Sequence, residues 1–181
     1  MKRLFDISIS LFGLLVFSPL LIIISMLIKL EDGQAIFFVQ DRIGKHKKKI
    51  WVYKFRTMHN SKVTKTGKWL RNTGLDELPQ IISILKNDMT VVGPRPLTQY
   101  DINRLKWDKK EAQPRWQVKP GLTGLAQITG GVSASASLKA DLNYIKNQSF
   151  FLDLKIIFYS FCINLIGKKI IRNYLIKTHA L

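Results

Sequence analysis

The stretch 7-ISISLFGLLVFSPLLIIISMLI-28 decides the fold. It carries no charged residue. As an α-helix it is about 33 Å long, enough to cross the hydrocarbon core of a bilayer. It is too long for the apolar core of a signal peptide, and no Ala-x-Ala-like cleavage site follows, so it reads as a retained membrane segment. Lys2 and Arg3 precede it; Lys29, Arg42 and 45-KHKKK-49 follow it. Cations at both ends assign neither end to the outside. Ser18 and Pro19 sit near the middle. Proline there removes a backbone hydrogen bond and kinks the helix, and the Ser18 hydroxyl can help satisfy the freed carbonyls. The residues alone leave two forms open: a kinked helix that spans, and one that bends at Ser18-Pro19 and returns to its own face.

The chain has 181 residues, enough for one domain with a modest core. It carries 29 Lys and Arg against 12 Asp and Glu, for a net charge of +17. Such a surface attracts anions: nucleic acid, an acidic leaflet or phosphorylated substrates. The single cysteine, Cys162, excludes an intrachain disulfide. His46, His59 and His179 are scattered without zinc-ligand spacing. A reducing, cytosol-facing location fits this composition.

After the apolar run, 35-AIFFVQDRIG-44 and 50-IWVYKFRT-57 read as a β-hairpin around the basic turn 45-KHKKK-49. In 74-GLDELPQIISIL-85, Leu78, Ile81, Ile82 and Leu85 form one helical face. Asp76 or Thr73 can cap that helix, and Pro79 fits only its first turn. Asp76 and Glu77 then lie at a helix amino terminus, where the dipole favours ionised carboxylates. An ionised carboxylate serves as nucleophile or metal ligand; an ordinary acidic cap is the plainer reading. In 91-VVGPRP-96 two prolines restrict the backbone around Arg95, a residue type suited to bidentate phosphate binding. The turn 119-KPGLTG-124 offers backbone amides, and Arg56 and Arg71 add cations before the carboxylates.

Further on, 97-LTQYDINRLKWDKKEA-112 reads as a charged helix and 129-TGGVSASAS-137 as a mobile loop. The run 149-SFFLDLKIIFYSFCINLIG-167 gathers Asp153, Ser160 and Asn164 on one face and reads as an interfacial helix, with a buried core helix as the alternative. A basic tail of 168-KK-169, Arg172 and Lys177 ends the chain. The expected fold is α+β and mainly helical. A membrane helix occupies 1–30, and a compact catalytic domain with the small hairpin and the interfacial helix occupies 31–181.

The pieces 1-MKRLFDI-7, 18-SP-19, 53-YKFRTM-58, 71-RNTGLDELPQ-80, 88-DMTVVGPRP-96, 118-VKPGLTGLAQ-127 and 148-QSFFLDLKI-156 run in order along nearly the whole chain. Together they resemble the bacterial sugar transferases, monotopic phosphoglycosyl transferases that start lipid-linked glycan assembly. The resemblance implies a re-entrant membrane helix broken at Ser18 and Pro19. It implies that Asp76 attacks the sugar-bearing phosphate of a UDP-sugar and releases UMP. A polyprenyl phosphate, usually undecaprenyl phosphate, then takes the phosphosugar from the aspartyl intermediate. Glu77 matches the second acidic position, magnesium (Mg2+) is the implied cofactor with Asp76 as a ligand, and Arg71 and Arg95 match phosphate-binding arginines, with Arg56 as a further candidate. The implied location is the cytoplasmic face of the bacterial inner membrane, against anionic phospholipid.

Three departures stand out, one of them the short connection from Met58 to Leu70. Many relatives carry Trp where Leu125 stands, and many carry Asn-Gly-Arg near Thr129 to Gly131. A membrane-tethered nucleic-acid binder would use the basic patches but gives DELPQ and VGPRP no role, so no nucleic-acid partner is expected. The intact Asp76 and Glu77 argue against a non-catalytic relative.

Overall fold

The computed structural model of the chain describes residues 1–130 and 133–166, together with 170, 171 and 175. The described part is mostly helical, with small two-stranded sheets. The basic tail residues 168-KK-169, Arg172 and Lys177 lie outside the described residues. The chain packs as two compact units. One holds Met1–Asp41 and Trp51–Asn87; the other holds Arg42–Ile50 and the described residues from Asp88 onward.

Helix α1 spans Lys2–Asp32 and passes through Ser18 and Pro19 as one uninterrupted element, not as two helices joined there. Pro19 has no N–H to give the Leu15 carbonyl four residues earlier. The Ser18 hydroxyl takes that place, donating to the Leu15 oxygen at 2.9 Å. The buried positions Asp6, Ser10, Ile24 and Ile28 are spaced to share one face. Leu11, Phe12, Leu15, Val16, Ile22, Ile23 and Met26 are exposed. By length and composition α1 can cross a membrane, and so broad an exposed apolar face is consistent with membrane association.

Strands β1 (Phe37–Ile43) and β2 (Lys49–Phe55) pair as the expected hairpin, and its basic tip is a 3₁₀ turn, Lys45–Lys47. A second, tiny hairpin follows: β3 (Met58–His59) and β4 (Lys62–Val63), antiparallel, with Met58 opposite Val63. Its two turn residues, Asn60 and Ser61, both have positive φ, as a two-residue hairpin turn of type I′ requires. Helix α2 (Lys65–Thr73) is capped by the Thr64 side chain, which accepts from the Gly67 N–H. A 3₁₀ helix, Leu75–Gln80, leads into the short α3, Ile81–Leu85.

The first unit's core joins Ile24 and Ile28 of α1, Phe55 of β2 and Leu70 of α2. Burying one such side chain contributes about 1.5–3 kcal/mol. At the other end of α1, the Arg3 guanidinium donates to the Ile84 and Leu85 carbonyls at 2.6 and 2.9 Å. These belong to the last turn of α3, where helix geometry leaves carbonyls unpaired.

In the second unit, β5 (Thr90–Val92) and β6 (Gly121–Thr123) pair in parallel, with Thr90 opposite Gly121. The expected helix over 97–112 is shorter. Helix α4 covers Gln99–Leu105 behind a Thr98–Asp101 capping box, and Lys106 in the left-handed region ends it. A 3₁₀ segment, Lys110–Gln117, follows. Helix α5 (Leu125–Thr129) precedes α6 (Ala134–Lys146). The mobile loop expected over 129–137 is corrected over 133–137, its residues 131 and 132 lying outside the described residues: the Ser133 hydroxyl accepts from the Ala136 N–H, so Ala134 to Ser137 form the first turn of α6.

Helix α7 spans Phe150–Ile166. Asp153 is buried and Ser160 bonds Thr123, whereas Phe150, Phe151, Phe158 and Phe161 are exposed. Its polar stripe therefore faces protein at these two positions and an aromatic face lies open. The second core gathers Ile102, Trp107, Ala112 and Trp116.

Candidate active site

The acidic pair sits where three local features meet. Gly74, at φ 72°, ends α2 in the left-handed region, a conformation glycine adopts without a Cβ penalty. The chain then tightens into the Leu75–Gln80 3₁₀ turn, closed by the Glu77 N–H on the Gly74 carbonyl at 3.2 Å. Asp76 and Glu77 lie in this turn, not at the start of an α-helix, and no side chain caps it. The Thr73 hydroxyl instead donates back into α2, to Trp69 and Leu70. Pro79 is accommodated inside the 3₁₀ turn, so the α-helix itself begins only at Ile81.

The expectation that a helix dipole holds Asp76 ionised is also corrected. Burial pushes the Asp76 carboxyl above its ordinary value, the neighbouring Glu77 carboxylate adds to this, and the charges of Lys54 and Arg71 oppose it. Lys54, on β2, reaches Glu77 Oε1 with its Nζ at 2.6 Å. Arg71, in the last turn of α2, donates from Nε to the buried Thr57 hydroxyl at 2.8 Å. Thus Asp76, Glu77, Arg71 and Lys54 form one electrostatic cluster in the first unit. The close approach of α2 to Thr57 depends on Gly67: a Cβ there would lie 2.2 Å from the Thr57 carbonyl oxygen.

Arg56 has a different placement. Its Nη1 and Nη2 donate to the two Asp32 carboxylate oxygens at 2.7 and 2.5 Å, and its Nε donates to the Ala35 carbonyl. The guanidinium beside it holds the Asp32 carboxyl down at about 2. Arg56 thereby ties the end of α1 to the end of β2. Next to it, the Glu31 carboxylate accepts from the Lys65 and Thr66 N–H groups at the start of α2. Arg95 belongs to the second unit; its side chain is exposed while Gly93, Pro94 and Pro96 are buried.

Sequence reasoning missed Lys54 and Thr57. A signal for Lys54 exists: it falls on the same face of β2 as Ile50 and Val52, both buried. A lysine on an inward strand face calls for an anionic partner. Thr57 carries no such mark.

The donor set suits magnesium. That ion is commonly held through one or two carboxylates together with substrate phosphates, and adjacent Asp76 and Glu77 supply hard oxygens. No group of three His, Cys, Asp or Glu ligands occurs among the described residues, so a closed all-protein cage is not what these residues offer.

A carboxylate pair held among cations, in a chain with a helix long and apolar enough to cross a membrane, is consistent with a membrane-associated protein. The family can be named: a bacterial sugar transferase profile matches residues 1–167, and the chain belongs to that family. It is 40% identical over 171 residues to the uncharacterized sugar transferase EpsL of Bacillus subtilis (strain 168), covering 87% of this chain and 83% of that one. It is 36% identical to the UDP-N-acetylgalactosamine-undecaprenyl-phosphate N-acetylgalactosaminephosphotransferase of Aeromonas hydrophila, covering 42% of that protein. It is 39% identical to the UDP-glucose:undecaprenyl-phosphate glucose-1-phosphate transferase of Klebsiella pneumoniae, covering 38% of that protein.

Proposed function

We propose that this protein moves a sugar 1-phosphate from a UDP-sugar to a polyprenyl phosphate, most simply undecaprenyl phosphate, at the cytoplasmic face of the bacterial inner membrane. The observation that carries this reading is the Asp76–Glu77 pair, half-buried beside Lys54 and Arg71. The Asp76 carboxylate attacks the sugar-bearing phosphorus, the bond to the uridylyl oxygen breaks, and UMP leaves. A polyprenyl phosphate oxygen then attacks the same phosphorus, forming the diphosphate link and restoring the Asp76 carboxylate. Division into two steps spares the two anionic substrates from meeting in one complex. Cations opposing the charge on Asp76 keep the attacking form accessible, and the same charges offset repulsion between carboxylate and phosphate. Bound magnesium would supply further neutralisation of phosphate charge, held through Asp76 and Glu77. Arg71 and Arg95 retain the phosphate-binding role that the family resemblance assigns. Arg56, engaged with Asp32, acts as a brace in this reading.

The membrane part of the proposal places α1 in the bilayer with both ends on the cytoplasmic side, bent about Pro19. The open aromatic face of α7 lies on the leaflet. Cationic flanks and the lipid nature of one substrate support this placement.

The test uses purified protein with a panel of UDP-sugars. In the absence of lipid, one phosphosugar mass should appear on the peptide bearing Asp76, and with lipid the initial rates should follow a ping-pong pattern. Asp76→Asn should abolish both. Near-normal transfer by a verified Asp76→Asn protein, or a strictly ternary kinetic pattern, would reject the covalent route.

A further inference from the structure

The turn 93-GPRP-96 is held by side chains that the chemistry above does not use. Arg115, in the 3₁₀ segment after α4, is buried to 3% side-chain exposure, and its partner Asp141, on α6, to 4%. Arg115 Nε donates to Asp141 Oδ2 at 2.8 Å. Its guanidinium lies 5.1 and 5.0 Å from the ring centres of Trp107 and Trp116. A further donor, Nη2, is aimed at the backbone carbonyl of Arg95. The rest of the turn is tied as closely. The Gly93 N–H donates to the Thr123 carbonyl, and the Gly121 N–H donates to the Pro94 carbonyl, each at 2.9 Å. Tyr144 Oη, also from α6, stands 2.9 Å from the Val92 carbonyl oxygen and 2.7 Å from Asp153 Oδ1. Around Arg95 the backbone is pinned and buried, and its own side chain is exposed.

A buried ion pair is a weak device for stability. Desolvation of both charges offsets most of their attraction, and apolar replacements of similar volume are often as stable or more so. An apolar replacement would, however, lose the donor to the Arg95 carbonyl. Only a guanidinium has the planar fork to hold a carboxylate and a carbonyl at once.

We propose that Arg115, oriented by Asp141, is a positioning residue that fixes the Arg95 backbone and so aims the Arg95 side chain at substrate phosphate. This rests on the phosphate-binding role of Arg95 in the proposed function. Misplacement of a binding group by about 1 Å is enough to cost a large factor in rate, up to about a hundredfold.

The experiment compares two variants in the full-length protein. Arg115→Lys keeps a charge for Asp141 but gives up the fork. The double change Arg115→Met with Asp141→Leu removes both charges together. Each is made with and without Arg95→Ala, and KM for the accepted UDP-sugar, kcat and melting temperature are read. The expected result is a KM raised about tenfold with Arg95 intact and less than twofold with Arg95→Ala, in proteins that melt near the wild type. A KM rise of equal size in both backgrounds, or an unchanged KM in a folded variant, overturns the proposal. A second readout needs no turnover: the rate at which phenylglyoxal modifies Arg95, followed on its peptide by mass. Arg115→Lys should change that rate threefold or more, and an unchanged rate rejects the positioning role. If no UDP-sugar is turned over by the wild type, the proposed function fails, and the phenylglyoxal rates alone then decide whether Arg115 sets the Arg95 turn.

Discussion

Lys54 Nζ stands 2.6 Å from Glu77 Oε1, with the two side chains only 16% and 23% exposed. One partner comes from a strand and the other from the tight turn that carries the candidate nucleophile. The pair therefore fixes that turn against β2 and sets a cation beside Asp76. Lys54→Met leaves Glu77 partly buried without this partner. Stability should fall by about 1–3 kcal/mol, and UMP release should fall by about tenfold to a hundredfold. Adding Glu77→Gln should recover part of the stability but none of the rate. A Lys54→Met protein with normal turnover would reduce the contact to a surface pair.

Arg71 is aimed by a neutral neighbour. Its Nε donates to Thr57 Oγ1, which is buried. Thr57→Val keeps the shape and removes the acceptor. We expect KM for UDP-sugar to rise about fivefold to tenfold, the size of one lost hydrogen bond of about 1–1.5 kcal/mol, with kcat changed less. Gly67→Ala acts differently, because its Cβ would press on the Thr57 backbone. It should destabilise the protein by about 1–3 kcal/mol. Calorimetry with initial rates separates the two effects, and a Thr57→Val enzyme with unaltered KM would remove Thr57 from the account.

The legible parts of this fold are those written in a single segment. The uncharged run of α1, the alternating residues of β1 and β2, and the Ser18 hydroxyl next to Pro19 are local patterns with local consequences. The 3₁₀ turn at 76-DELPQ-80 was not legible, because a proline in a first turn suits 3₁₀ and α geometry alike. The start of α6 was hidden by small residues that suit a loop until Ser133 caps them. The ion pairs Lys54–Glu77, Arg56–Asp32 and Arg115–Asp141 join positions 23, 24 and 26 apart. Such partners are chosen by tertiary packing; the strand alternation marks Lys54 as needing an anion but does not say which one. The same applies to Asp76: local reasoning supplied a dipole, whereas packing supplied burial, and burial dominates its carboxyl.

The Asp32–Arg56 pair gives a pH dependence with a definite sign. Asp32 is held at about 2, below its ordinary value of 3.8. A depressed carboxylate contributes stability that is fully present above the ordinary value and is lost as pH falls toward the folded one. The melting temperature of wild type should exceed that of Asp32→Asn at and above about pH 5. The margin should shrink steadily from about pH 4 toward pH 2. A margin that persists unchanged at the acid end, or none at neutral pH, would show that the pair does not stabilise the end of α1.

The placement of α1 is open to a labelling test, and the structure sharpens where to put the probes. Asp32 is locked to Arg56, so a cysteine there would break a brace; Gln34 is exposed and lies just beyond. Single cysteines at Lys2 and Gln34, in a Cys162→Ser background, are treated in intact cells with a membrane-impermeant thiol reagent. Both should be protected until the cells are opened, because cations flank both ends and favour the cytoplasmic side. Labelling at Lys2 with protection at Gln34 would make α1 a spanning helix. The bend proposed for the membrane-bound form rests on Pro19, which leaves the Leu15 carbonyl to the Ser18 hydroxyl. Pro19→Ala returns an N–H to that carbonyl and removes the ring clash on which the proposed bend relies. The straightened helix should then expose Lys2 to the reagent. Ser18→Ala should do the reverse: with Pro19 in place it leaves the Leu15 carbonyl without this donor, weakening the helix by about 0.5–1.5 kcal/mol without straightening it. If Pro19→Ala leaves Lys2 protected, the position of the amino terminus is set by its cations and by the Arg3 contacts to α3, and the proline is not the determinant of topology.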